Sequence, residues 1–438
     1  MYPTHTLPAA DESHPETARR PRPRRSGVPI ASIGNALEWY DWNAYVAFAV
    51  LIGPTFFPHA SPGAALLDTL AVFAVGFLFR PLGAALIGAF SDRHGRRAAL
   101  TLSVLLMSGG SLLVAVTPSY QRIGLAAPLL LVLARAVQGM SSGGEVTAMS
   151  TYINEIAPAG RRGLWSSAIY VSTTLGTLAS TLLAVALRDT LTPTQLHDWG
   201  WRLPFALGAL FGLYAWYLRR RADESALFEA AAPERVRHPA LEVLRRHPAA
   251  TFRVVGFTVG TTAVYYTFAA YLPVYAQQTQ HVPARSALWA AVLAQVLFVL
   301  AMPLFGMLSD RYGRRPLLLV FGAGFTVLSP ALFALLGHSA LSLFAVMSVA
   351  LLLFGCCAAA APSAMLEMFP TAVRSSGIGL SYSLTVALFG GTAPYLITYL
   401  SARGLARWFP WYVSLLALVS TVAFVRYRET ADVDLAAV

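Results

Sequence analysis

The chain has 438 residues, 56% hydrophobic and only 12% charged, against about 25% charged in an average soluble domain. All 32 basic residues are arginine, which excludes chemistry that needs a lysine: a Schiff base, a pyridoxal enzyme or a GxxxxGK phosphate loop. The composition is that of a polytopic membrane protein, and the net charge of +11 has to be read by its placement.

The first 26 residues are polar and end in Arg19, Arg20, Arg22, Arg24 and Arg25. No small-residue cleavage site follows the first apolar stretch, so this segment reads as a cytoplasmic polybasic tail (1–26) and not as a signal peptide. Apolar segments of spanning length follow at about 27–53, 66–90, 98–117, 127–153, 163–187 and 202–219, then 251–276, 285–308, 316–336, 340–365, 373–400 and 408–426. Each is near the ~20 residues that cross a bilayer. The expectation is an all-α membrane protein of twelve transmembrane helices. A bundle at 27–219 and a second at 251–428 flank a charged cytoplasmic connecting loop at 220–250, and 429–438 forms a cytoplasmic tail. With alternating connections, 24 arginines fall on the side of the termini and six on the other: Arg122, Arg188, Arg202, Arg285, Arg403 and Arg407. The positive-inside rule therefore predicts both termini in the cytoplasm. The same placement argues against nucleic acid as a partner. Cys356 and Cys357 are adjacent in an apolar run and read as small fillers, since neighbours do not form an ordinary disulfide and one pair makes no zinc site.

Ionisable groups within spans are functional candidates, because an unpaired charge there costs several kcal/mol. Five fall in the first half: Glu38 and Asp41 in helix 1, Arg80 in helix 2, Arg135 and Glu145 in helix 4. The second half has none in mid-span. Helix 1 shows a polar stripe of Asn35, Glu38, Asp41, Trp42 and Tyr45, and helix 4 one of Arg135, Gln138, Ser142, Glu145 and Met149. Helix 5 adds Ser166, Tyr170, Thr173 and Thr177. Helix 7 offers Thr262, Tyr265, Tyr266 and Tyr271, and helix 11 Tyr382 and Thr385. These faces are expected to line one aqueous cavity, although such groups also bond helix to helix. Arginine holds a carboxylate bidentately, so Arg80 and Arg135 are candidate substrate ligands with Tyr170, Tyr265, Tyr266 and Tyr382 around them. Asp41, Glu38 and Glu145, in that order, are candidate proton carriers. A substrate carboxylate competing with one of them for an arginine would couple the two events. Permanent salt bridges among these five are the structural alternative.

The chain repeats itself. GAFSDRHGRR from Gly88 returns as GMLSDRYGRR from Gly306, an offset of 218. Glu155, Pro158 and Arg162 return as Glu367, Pro370 and Arg374, an offset of 212. Two pseudo-symmetric six-helix bundles with a substrate site between them follow. GxxSDRxGRR resembles the signature loop of the major facilitator superfamily. GNALEWYDW (34–42), FLFRPLGA (77–84), ARAVQGMSSGGE (134–145), WGWRLPFALGA (199–209), EMFPTAVRSSGIGLSYS (367–383) and ALFGGTAPY (387–395) resemble its metabolite:proton symporters. The nearest branch is that of α-ketoglutarate and citrate permeases.

The resemblance implies the major facilitator fold, no cofactor and no enzyme activity. It implies proton-coupled uptake of a small organic anion, a di- or tricarboxylate, by a functional monomer in a bacterial inner membrane. It links the motif of Arg135 to proton coupling. It also implies a conformational latch at the cytoplasmic rim: Asp92, Arg96 and Arg97, their counterparts Asp310, Arg314 and Arg315, and the pairs Glu155 with Arg162 and Glu367 with Arg374. Charges at a bundle seam can hold one state and release in the other; plain topology anchoring is the alternative. Ala168-Ile169 stands where some relatives carry glutamine, so the substrate can differ from theirs. Export of a carboxylate metabolite or citrate-based siderophore is the competing transport reading, disfavoured by the lack of a Gly-Pro pattern in YVSTTLGTLAS. A non-transporting sensor has no added domain to support it, and no metal-ligand cluster is visible.

Overall fold

A computed structural model describes residues 27–430 apart from 59–60, 95, 159, 220–238 and 370–373. The expected tail at 1–26, residues 431–438 and most of the 220–250 connection lie outside the described residues. Twelve long helical rods carry the chain. In the first half they are α1 (Gly27–Phe56), α2 (Pro62–Leu78 continued by Arg80–His94), α3 (Arg96–Val116), α4 (Ala126–Ile156), α5 (Arg162–Thr190) and α6 (Leu203–Arg219). In the second half α7 runs through Pro248–Val264, Tyr265–Tyr271 and Leu272–Thr279, and α8 is Ala284–Tyr312. Then come α9 (Arg314–Ala334), α10 (Ala340–Leu366), α11 (Arg374–Thr385, Val386–Gly390 and Ala393–Ala402) and α12 (Phe409–Val425). The connection expected as a loop contains a short helix, Pro239–Arg246, started by proline at its first position and anchored by buried Val243.

Eight rods are long and apolar enough, by length and composition, to cross a membrane. The other four are α1 and α4, which carry four of the five ionisable residues named above, α6, which is 17 residues long, and the interrupted α7. Leu300, Val327 and Leu341 point outward from the bundle surface, as expected where lipid is the solvent.

Three rods are interrupted beside proline. In α2 the helix breaks at Phe79, two residues before Pro81, whose missing N–H and ring disfavour a regular turn. In α7 and α11, turns widened to i→i+5 bonding occupy Tyr265–Tyr271 and Val386–Gly390, just before or at Pro273 and Pro394. Widened turns rotate the side chains that follow, and they recur at functional sites.

The near end of the molecule carries the short connections at 94–96, 157–161 and 313; the far end carries 57–61, 117–125 and 280–283. At the near end α5 and α8 cross at glycine. A Cβ on Gly163 would stand 2.7 Å from the Gly306 carbonyl oxygen, and one on Gly306 would stand 2.7 Å from Leu164 Cα. At the far end Arg285 Nε reaches Asp189 Oδ1 at 3.1 Å across the same two rods. The halves therefore touch at both ends.

Candidate functional site

The polar stripe of α1 faces two different neighbours. One face, with Glu38, turns to α2 and the second half; Asp41 turns into the first bundle. Arg80 sits at the break in α2, where it leaves the regular helix beside Pro81. Its Nη2 donates to Glu38 Oε1 at 2.6 Å, and both side chains are buried. The guanidinium lies 4.7 Å from the Phe77 ring centre and 5.2 Å from that of Trp42. From the second half, Tyr266 and Tyr382 lie within electrostatic reach of it, and Phe77 packs edge-on against Tyr266 at 5.1 Å. Arg80 and Glu38 are thus at the seam between the bundles.

Beside them a cluster of packed aromatic rings crosses the seam. Trp39 meets Tyr265 edge-on at 5.1 Å and stacks on Tyr266 at 5.9 Å. Tyr170 contacts Phe354 at 5.5 Å and Tyr265 at 6.5 Å. Thr177 of α5 donates to Gln295 of α8 at 3.2 Å, both buried. Trp39, Phe354 and Gln295 were not among the expected ligands. An aromatic in a membrane helix carries no signal of what it faces, and Gln295 stands alone in an apolar stretch.

Arg135 and Asp41 form a second buried pair, Nη1 to Oδ2 at 3.1 Å. Gln138 donates to the same oxygen at 2.6 Å, and Ser111 of α3 donates to Asp41 Oδ1 at 2.5 Å. Arg135 also donates to Gln138 Oε1 at 2.6 Å. Its Nε and Nη2 find no hydrogen-bond partner among the described residues; the guanidinium lies 4.1 Å from the ring centre of Trp42 and 4.4 Å from that of Tyr45. Ser111, Gln138, Trp42 and Tyr45 all belong to the first half. Trp42 stands between the two arginines, packed on Phe77 at 4.3 Å and bonded through Nε1 to Ser142 at 2.9 Å. Close approach of α2 and α4 makes this possible: a Cβ on Gly143 would lie 2.0 Å from the Arg80 carbonyl oxygen.

Glu145 lies nearly three turns beyond Arg135 along α4, buried, and accepts from Ser103 at 2.9 Å. Of the remaining stripe residues, several bond helix to helix. Asn35 donates to Ser172 and Thr173, each at 2.9 Å. Ser166 bonds Asn154 and Ser363, both at 2.8 Å, and Tyr271 bonds Thr398.

At the near end the second-half loop grips the first half. Asp310 accepts the backbone N–H of Gly163 at 2.7 Å and of Leu164 at 2.9 Å, capping the first turn of α5. Glu367 Oε1 reaches Arg162 at 3.5 Å and Arg314 at 3.7 Å. Burial pushes the Glu367 carboxyl up, against the opposing pull of its bond from Thr430 and of the two arginines. Glu429 accepts the N–H groups of Arg314 and Arg315 at the start of α9. Gly313, at φ 92°, allows the α8–α9 turn in a conformation open mainly to glycine. The side chains of Asp92, Arg96, Arg97, Glu155 and Arg374 are outside those described. Arg162 meets Glu367 of the other repeat; the expected pairs of Arg162 with Glu155 and of Glu367 with Arg374 involve side chains outside those described. Glu429 and Thr430 were not expected here; they lie in the segment read only as a tail.

Residues 27–246 match the family described as sugar (and other) transporter, and residues 278–436 match the major facilitator superfamily. The chain is 40% identical to the alpha-ketoglutarate permease of Escherichia coli (strain K12), over 92% of this chain and 94% of that protein. It is 34% identical to a putative proline/betaine transporter of Staphylococcus aureus (strain COL), over 86% and 82%. It is 29% identical to the proline/betaine transporter of Escherichia coli (strain K12), over 93% and 84%. The proton:xylose symporter XylE bound to 6-bromo-6-deoxy-D-glucose superposes with a TM-score of 0.73 at 19% identity, covering 92% of this chain and 95% of that one. That likeness gives the fold, two pseudo-symmetric six-helix bundles. With relatives of this identity along nearly its whole length, the chain belongs to the major facilitator superfamily, a family of multi-pass membrane transporters and not of enzymes.

Proposed function

We propose that this transporter is a proton-coupled symporter that takes up a small organic anion of the α-ketoglutarate or citrate class by alternating access. The observation that carries the reading is the presence of two separate buried arginine–carboxylate pairs. Arg80 with Glu38 is at the seam, where a ligand can reach it from either bundle. Arg135 with Asp41 is inside the first bundle, packed among Trp42, Tyr45 and Phe73 of the same bundle. Arg80 binds a substrate carboxylate in exchange for Glu38, and Tyr170, Tyr265, Tyr266 and Tyr382 enclose the rest of the molecule. Asp41 gains and loses the proton, with Arg135 as its counter-ion, and Asp310, Arg162, Glu367, Arg314 and Arg315 latch the near end. By the distribution of arginine the near end faces the cytoplasm of a bacterial inner membrane. The protein works as a monomer and needs no cofactor.

One observation favours a second reading. Trp39, Tyr265, Tyr266 and Tyr170 form a cluster of packed aromatic rings next to a site that offers both charge signs. Such a cluster suits a quaternary ammonium, and two of the relatives are named as proline/betaine transporters. The substrate in that case is a zwitterion. Proteoliposomes with an imposed inward proton gradient decide between them. Labelled α-ketoglutarate and citrate are expected to accumulate, and a protonophore to abolish this. Accumulation of labelled glycine betaine or proline alone would transfer the assignment to the zwitterion. Uptake of the acids that ignores the gradient would refute proton coupling.

A further inference from the structure

On the side of Asp41 turned away from the seam, between α1, α3, α4 and α6, lies a cavity of about 10 Å³. Its wall includes Asp41, Ser108, Ser111, Glu145, Gly208 and Gly212. A space of that size, with polar groups around it, is suited to about one water molecule. Of the three carboxylates expected as proton carriers, the cavity is lined by the two that do not belong to the seam, Asp41 and Glu145. Asp41 is held there by Arg135 and Gln138 from α4 and by Ser111 from α3, with Tyr40 of its own helix as an electrostatic neighbour. Glu145 is bonded by Ser103 from α3, and its charge is felt by Glu38 of α1. Toward the seam, by contrast, Asp41 and its arginine are walled off by the buried rings of Trp42, Tyr45 and Phe73.

We propose that a water in this cavity relays the proton between Asp41 and Glu145, so that the proton travels within the first bundle and the substrate along the seam. The step balances: protonated Asp41 gives its proton to the water, the water gives one of its own to the Glu145 carboxylate, and the water is regenerated. Asp41, now ionised, is the partner that Arg135 awaits, and Glu145 is the neutral acid. Ser103, the bonding partner of Glu145, is seven residues from Arg96 at the start of α3, about 10 Å of helix from the near end. Glu145 is therefore the stop nearer the cytoplasmic side. This inference rests on the proton-symport reading with Asp41 as carrier.

The wall residue Gly208 permits a test. A Cβ there would lie 3.4 Å from Tyr40 Cε1 and 3.6 Å from Asp41 Oδ1, ordinary contact distances. Gly208→Ala therefore fits the fold and takes the space of the water, while Gly208→Ser fills the same space with a hydroxyl that can relay. Proteoliposomes holding the internal pH dye pyranine, given external α-ketoglutarate, report proton entry; labelled α-ketoglutarate reports counterflow. Gly208→Ala is expected to slow proton entry tenfold or more with counterflow within twofold of the parent, and Gly208→Ser to recover at least half of the proton rate. Glu145→Gln, which keeps a partner for Ser103, is expected to slow proton entry as Gly208→Ala does. Equal proton rates in the alanine and serine variants, or a parental rate in Glu145→Gln, overturn the relay. If those results come with loss of proton entry in Asp41→Asn, the symport reading stands and only the route falls. If Asp41→Asn carries protons normally, or the parent shows no proton entry, both fall.

Discussion

Arg80 donates to Glu38 at 2.6 Å in a place where its other buried nitrogen, Nε, has no hydrogen-bond partner among the described residues. A buried guanidinium with an unused donor is ready to donate to a second carboxylate, because an unsatisfied buried donor carries the full cost of its desolvation. Sequence alone left open whether Arg80 is a substrate ligand or a member of a salt bridge among the five ionisable residues within spans; the structure pairs it with Glu38.

Arg80→Ala is expected to lower affinity for the anion by about 2–5 kcal/mol, the range for a buried, hydrogen-bonded charge pair cut on one side. Since this leaves Glu38 buried without its cation, Arg80→Ala with Glu38→Gln serves as the companion variant. It too is expected to lose binding, measured by calorimetry or ligand-induced fluorescence on purified protein. Glu38→Gln alone frees Arg80 and is expected to hold or raise anion affinity. Parental affinity in the double variant would make Arg80 structural.

Asp41→Asn is expected to abolish uphill accumulation while counterflow, which exchanges substrate without net proton movement, persists at a measurable rate. Loss of a substrate ligand impairs both assays, so the contrast identifies a carrier. Labelled substrate in proteoliposomes, with and without an imposed gradient, is the measurement. Accumulation against the gradient by Asp41→Asn removes Asp41 from the mechanism and passes the role to Glu145 or Glu38.

Gly163→Ala and Gly306→Ala are each expected to hold the near end apart, since a Cβ at either position stands within 3 Å of backbone of the opposite rod. Alanine favours the helix itself, so folding should be retained while the closed state is penalised. The check is thiol labelling of a cysteine placed at Ser309, buried beneath this contact, with Cys356 and Cys357 replaced by alanine. Labelling is expected to rise severalfold and net uptake to fall about tenfold. Unchanged labelling would mean that the rods adjust to the methyl group.

Asp310→Asn is expected to slow net transport yet leave equilibrium binding within a few-fold. Asp310 holds the first turn of α5 through two backbone N–H groups and touches no group at the seam between Arg80 and the tyrosines. Glu367→Gln should act in the same direction, because it leaves Arg162 and Arg314 facing each other without the charge that joins them. Binding weakened as far as in Arg80→Ala would place Asp310 in the binding machinery instead of the latch.

Much of this protein was legible in the chain itself. The solvent of a membrane helix demands about 20 apolar residues, so twelve rods could be counted, and a charge inside a rod stands out because it is costly. The paired SDRxGRR loops revealed the duplication, which with hydropathy implied two bundles. Helical periodicity placed Glu38 and Asp41 in one polar stripe. What the stripe could not say is that its two carboxylates look in different directions. That depended on which rod lies against each side of α1. Close crossing of α2 and α4 at glycine brings the backbones together, and the break at Phe79 turns Arg80 to the seam while Arg135 stays inside. Trp42, which reads as one more aromatic, becomes the partition between them. Likewise the repeat placed Arg162 and Glu367 in one charged rim, and the structure adds that Arg162 meets Glu367 across the two halves. Composition and period are properties of one helix and survive in one dimension. The choice of ion-pair partner is a property of packed neighbours far apart in sequence, and only the tertiary structure makes it.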